Sequence, residues 1–226
     1  MTAYEILRKL LGLLREAGLE ADFRESYSPG NGRLPQRPVA VGQVGSEGAA
    51  EGKWSARLDF QVYLPRKEPL ETGEALLAAI GETAEAHFSS LSGIKREGFG
   101  PDKEAGLLCA RCFLEFAGER EGGGACQVLI GGVARPVSGW EISVSFGKPL
   151  TAVGENEPFA LLGGAVYRVK LLGLDTKGLE RLAGFTAELP EDIFTRCRWE
   201  SLEETGRQGV FLSGQREERG RAGGGA

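Results

Sequence analysis

The chain has one histidine, one methionine and four cysteines in 226 residues. His87 has no Ser or Cys nucleophile and no acid in sequence reach of the kind a triad needs. Its place on an apolar helical stripe beside Phe88 instead predicts a packed or half-exposed helix residue. No Gly-rich dinucleotide fingerprint, GxSxG elbow or HExxH is present. Gly147-Lys148 fails as a phosphate loop, because Pro149 follows where Ser or Thr is required. No apolar run approaches the roughly 18–20 residues of a membrane span. The N-terminal segment lacks the basic flank, apolar run and cleavage site of a secretory leader. A net charge of −5 without a basic patch argues against nucleic acid. The expectation is a soluble cytoplasmic protein with neither nucleic acid nor membrane as partner.

The cysteines add no chemistry by spacing. Cys109-Ala-Arg-Cys112 is a CxxC, and with Cys126 and Cys197 it supplies four thiols. LLCARCFLEF reads as a strand, however, and residues three apart on a strand point to opposite faces. Core cysteines are expected, with no metal and no cofactor. Carboxylate pairs are the remaining route to catalysis: Glu155 with Glu157, Glu191 with Asp192, and Glu203 with Glu204. All fall in predicted loops, where such pairs are usually solvated. The chain reads as a non-enzyme.

What is present is β-periodicity, clearest in Lys53–Pro65. Trp54, Ala56, Leu58, Phe60, Val62 and Leu64 share one parity, and Lys53, Ser55, Arg57, Asp59, Gln61 and Tyr63 the other. That alternation predicts a long strand with one buried and one wetter face, ended by Pro65. Upstream, Thr2 and Glu5 form a capping box for a helix with Ile6, Leu7, Leu10, Leu11, Leu14 and Ala17 at helical spacing. Gly18 is placed to end it. A short strand over Leu19–Tyr27, a turn-rich loop Ser28–Pro38 and a strand Pro38–Val44 follow, then a bend over Gly45–Gly52. A second helix carries Leu76, Leu77, Ile80, Ala84, His87, Phe88 and Leu91, with Gly93 closing it. A short strand around Ile94 and an alternating strand Leu107–Phe116 complete the first part.

This order predicts an α+β fold: an N-terminal, mainly antiparallel sheet with two helices on one face, followed by a β-rich second domain. The expected divisions are residues 1–117, a Gly-rich linker at 118–124, the β-rich domain at 125–213 and a disordered polar tail at 214–226. In the β-rich part, strands are expected at Cys126–Ile130 (before a Gly131-Gly132 turn), Trp140–Phe146, Val166–Leu172, Phe185–Leu189, Thr195–Glu200 and Gly209–Ser213, with a short helix in Asp175–Ala183. Trp140 falls on the apolar face of its strand and is expected in the core. The long connection Gly147–Gly164 is of the length that often carries function.

The first domain resembles the tail-terminator and minor tail proteins of long-tailed bacteriophages and prophages. The likeness lies in the amphipathic helix Tyr4–Ala17, the Arg/Pro-rich loop, the Pro38-Val39-Ala40-Val41 strand and the strand from Trp54 to Pro65, followed by a helix and closing strands. The resemblance covers about half the chain and brings no catalytic residues. It implies a structural subunit that self-associates, possible as a ring, and docks to other tail proteins, cytoplasmic during assembly and then part of the virion tail. The β-rich part departs from a compact terminator and is more loosely similar to tube and baseplate β-domains. On this reading the contacts fall on Arg57, Asp59 and Gln61 of the long strand and on Lys148, Glu155 and Glu157 of the long connection. The alternative is a glycan- or small-ligand-binding module built on Trp199 and Tyr167.

Overall fold

The computed structural model describes residues 2–25, 35–102, 107–119, 126–146 and 165–218. The protein is α+β, with two α-helices and a large sheet of fourteen strands among the described residues. It forms two compact units, one of Met1–Gly45 with Ser55–Gly118, the other of Ser46–Trp54 with Glu119–Ala226.

In the first unit, α1 (Ala3–Glu16) starts where the capping box places it. The Thr2 hydroxyl accepts from the Glu5 N–H at 3.2 Å, and the Glu5 carboxylate accepts from the Thr2 N–H at 2.8 Å. Gly18, at φ +70°, carries the chain out of the helix. The strand expected over Leu19–Tyr27 is shorter: β1 (Asp22–Arg24) lies parallel to β2 (Val39–Ala50). The sheet is otherwise antiparallel.

The glycine-rich stretch after Val44 is not a bend. β2 runs straight through it to Ala50, and the chain reverses only at Glu51 and Gly52, both with positive φ (53° and 75°), before β3 (Lys53–Leu64). That is the two-residue turn whose twist suits a hairpin. The glycines serve close approach instead. A Cβ on Gly45 would meet the Asp59 carboxylate and one on Gly48 would lie 3.1 Å from the Trp140 carbonyl oxygen; earlier in the strand, one on Gly42 would lie 2.7 Å from the Phe60 ring and 2.8 Å from Leu7. β3 follows the predicted alternation, with Ala56, Leu58, Phe60, Val62 and Leu64 buried.

The second helix, α2 (Leu70–His87), ends earlier than its apolar stripe. Phe88 is extended at φ −130°, and Leu91 and Gly93 belong to β4 (Leu91–Arg96). The stripe continues past the helix because Phe88 stays buried, edge-on to Phe116 at 5.8 Å. β5 (Gly100–Asp102) and β6 (Leu107–Glu119) close the unit, β4 and β5 both pairing with β6. Both helices cover one sheet face: Leu7 of α1 reaches Phe60, and Gly73 of α2 sits against Leu64.

The expected linker begins inside β6, which includes Gly118 and Glu119; residues 120–125 lie outside the described residues. The later strands belong to the same fourteen-stranded sheet, and the separate β-rich second domain expected from the sequence is not shown. They are β7 (Cys126–Ile130), β8 (Val133–Val137), β9 (Gly139–Phe146), β10 (Ala165–Leu172), β11 (Phe185–Glu188), β12 (Asp192–Glu203), β13 (Gln208–Ser213) and β14 (Gln215–Glu218). Gly131 and Gly132 make the β7–β8 turn, at φ 58° and 81°. The far end of β2 belongs here, Ser46 opposite Ser143 and Ala50 opposite Gly139 of β9. The helix expected in Asp175–Ala183 is a single 3-10 turn, Leu179–Arg181, pinned by buried Leu179.

The polar stretch after Gly214, expected to be disordered, supplies β14. β12 changes direction at Arg196 (φ 54°), so Asp192–Thr195 pairs with β14 and Arg198–Glu203 with β13. The core of this unit gathers Trp140, Ile142, Val169, Leu171, Phe194 and Phe211, all nearly inaccessible. Trp140 is where its alternation placed it.

Candidate functional site

Among the described residues the helices cover only one face of the first unit's sheet; the other face, open around Arg57 and buried at one end, carries three predicted contact residues. Residues two apart on a strand share a face, so Arg57, Asp59, Gln61 and Tyr63 form a row along β3. The Arg57 guanidinium donates to both Asp59 oxygens, at 2.7 and 3.2 Å, and the Tyr63 hydroxyl donates to Gln61 Oε1 at 2.7 Å. The row is therefore tied pairwise. On β6, half-buried Phe113 stands next to it, with the Arg57 charge 5.5 Å and the Lys95 ammonium 5.9 Å from its ring centre. Both fall within cation–π range. At one end, Val39, Val41, Tyr63 and Leu107 pack together with Cys109 against them. Lys148, Glu155 and Glu157 lie outside the described residues.

The cysteines and the histidine do not gather into one site. Cys109 and Cys112 point to opposite faces of β6, as strand geometry requires, and the four cysteines are free. Burial, reinforced by Asp102, pushes the Cys109 thiol up to about 11, and burial pushes Cys197 up to about 12. Cys112 is also raised by burial. Such thiols are poor nucleophiles at neutral pH. His87 is exposed at the end of α2. Among the described residues no group of three or more His, Cys, Asp or Glu is placed to hold a metal ion. Among the described residues no helix is long and apolar enough to cross a membrane.

No protein-family model matches the chain, and no curated protein matches it in sequence.

Two aromatic residues assigned to a ligand site are packed instead. Trp199 stacks on Phe185 at 4.6 Å, and Tyr167 meets Phe194 edge-on at 5.8 Å. Both line the rim of the second unit's core. A shallow groove of about 560 Å³ lies nearby in sequence, between Leu174–Lys177 and the turn holding Glu204 and Arg207. It carries two acids and two bases and no aromatic ring. A second groove, of about 430 Å³, runs along β5 and β6 between Glu97, Asp102 and Arg111.

Of the acidic pairs, Asp192 is not solvated. Its carboxylate accepts from Arg216 at 2.7 and 2.9 Å, and Arg216 also donates to Glu47 at 3.2 Å. The three side chains are 3, 5 and 1% exposed respectively. The guanidinium lies about 6 Å from the Tyr167 and Phe194 rings (6.0 and 5.9 Å), and Trp54 Nε1 donates to Glu47 at 3.3 Å. Sequence reading missed this cluster, since its members are 169 positions apart at the extreme and Arg216 sits in a stretch of glycine and charge.

Proposed function

We propose that the chain is a structural subunit of a phage or prophage tail, terminator-like in its first unit, that works by self-association and by docking to other tail components and not by catalysis. The observation that carries the reading is the first unit's build: an amphipathic helix, a Pro-Val-Ala-Val strand continuing into a long hairpin, a second helix and closing strands, with helices on one sheet face only. An open face carrying paired charges and an aromatic ring suits docking between subunits better than a substrate cleft would. β4, at one end of the strand order among the described residues, adds an edge whose backbone groups a neighbour can use. On this proposal the protein resides in the cytoplasm during assembly and in the virion tail afterwards.

Light scattering coupled to gel filtration, over a wide concentration range, tests it. Discrete oligomers that appear as rings in electron micrographs are expected. Exchanging the signs of Arg57 and Asp59 should alter that assembly, since the pair stands in the middle of the open face. A chain that stays monomeric and instead retains a glycan on an array would overturn the reading.

A further inference from the structure

The outer stripe of α2 is acidic. Glu71, Glu74, Glu82 and Glu85 are exposed and, with half-exposed Ala78, recur at intervals of three and four residues along one line of the helix. At the helical rise that line is about 21 Å long. No Lys or Arg occurs between Leu70 and His87, so nothing in the helix offsets the like-charged neighbours. Glu82 and Glu85 also stand near the end where the helix dipole disfavours anions. Among the described residues none of the four makes an ion pair.

The opposite layer of the same unit holds the complement. Arg57 and Lys95 flank Phe113, and Arg111 stands on the same face of β6 two residues before it. Asp59 is already engaged by Arg57, and Glu115 lies over Gly93 on the far side of Phe113. Lys95 and Arg111 make no ion pair among the described residues.

We propose that the acidic stripe of α2 in one copy docks on the Arg57–Phe113–Lys95–Arg111 patch of a second copy. The inference rests on the self-association reading and specifies its contact. Carboxylates along the stripe meet the cations, and Ala75 and Ala78 offer apolar surface to the phenyl ring. Because the two surfaces lie on opposite layers of one unit, the contact is head-to-tail, and it propagates into a closed ring or an open filament instead of a twofold dimer. One helix stripe covers less area than a permanent interface, so a single contact is weak, and ring closure gives every copy two of them.

Sedimentation velocity of the full chain, across protein concentration at low and high salt, tests the contact. The variants are Glu82→Lys/Glu85→Lys, Lys95→Glu/Arg111→Glu, and a chain carrying all four changes. Association of the unaltered chain should weaken with salt. Reversing either surface alone should weaken it by about 100-fold or more, since like charges then face each other. Combining the reversals should recover most of the loss. The lysines at positions 82 and 85 suit the helix dipole, so the fold is expected to persist, which circular dichroism checks. If a reversal nevertheless unfolds the chain, Glu82→Gln/Glu85→Gln and Lys95→Gln/Arg111→Gln should still flatten the salt dependence. Association that ignores both surfaces, or that the fourfold change fails to recover, overturns this contact and leaves self-association standing. A chain monomeric at every concentration overturns the contact and removes self-association from the proposed function.

Discussion

Replacing Arg216 with Met should be among the most damaging single changes in the second unit. Arg216→Met keeps much of the side chain's volume and its place between Tyr167 and Phe194, but removes the guanidinium from two carboxylates that are 1 and 3% exposed. Breaking a buried ion pair from one side costs about 3–5 kcal/mol, chiefly because the surviving charge is left in a poor dielectric. Glu47→Gln is the informative contrast. It leaves the two-pronged Arg216–Asp192 pair intact, keeps an oxygen for the Trp54 N–H, and relieves a site where two carboxylates share one guanidinium. Its cost should be about 1 kcal/mol. The chain's three tryptophans, Trp54, Trp140 and Trp199, all belong to the second unit, whereas both α-helices belong to the first. Fluorescence in urea therefore follows one unit and helical circular dichroism the other. With a slope of about 2 kcal/mol per molar urea, Arg216→Met should lower the fluorescence midpoint by about 2 M. The reasoning is refuted if that variant unfolds within about 0.5 M of the unaltered chain, or if Glu47→Gln is equally damaging.

Other expected outcomes are smaller or more local. Gly42→Ala forces a methyl to within 2.7 Å of the Phe60 ring and should cost about 1–3 kcal/mol in the helical transition, as overpacking does. Thr2→Ala removes one half of the capping box and should cost about 1 kcal/mol in the same transition. The Cys197 thiol, raised to about 12 from an ordinary 9.0, stays protonated in the folded chain while the unfolded chain ionises. Stability should therefore fall as pH rises from about 9 towards 12. Cys197→Ala should flatten that alkaline slope in urea titrations; a slope unchanged by the substitution would refute it.

Legibility followed the range of the interactions. α1 and its cap, and β3 with its two faces, are written in neighbouring residues, because capping and alternation are local rules. Arg57, Asp59 and Gln61 share the wetter face of β3 by the same alternation. Glycine misled. The stretch from Gly45 has the composition of a turn, yet Gly45 lies against the Asp59 carboxylate and Gly48 against the Trp140 carbonyl. α2 ends before its apolar stripe does, since Phe88 and Leu91 keep helical spacing while the backbone is already extended. Arg216 looked like part of a soluble tail, since the carboxylates that bury it come from β2 and β12. Phe113, central to the open face, became visible only when strand pairing brought Lys95 opposite it.

The β2–β3 hairpin has a consequence for how the gene can be cut. The backbone passes between the two units three times, after Gly45, after Trp54 and after Gly118. A clone of residues 119–226 would lack the Ser46–Ala50 strand, leave β9 with a bare edge, and deprive Arg216 of Glu47. Such a fragment is expected to be insoluble, however generous the glycine linker at its start. Nor is the C-terminal portion self-contained along the chain, since its unit takes in Ser46–Trp54 from inside the hairpin.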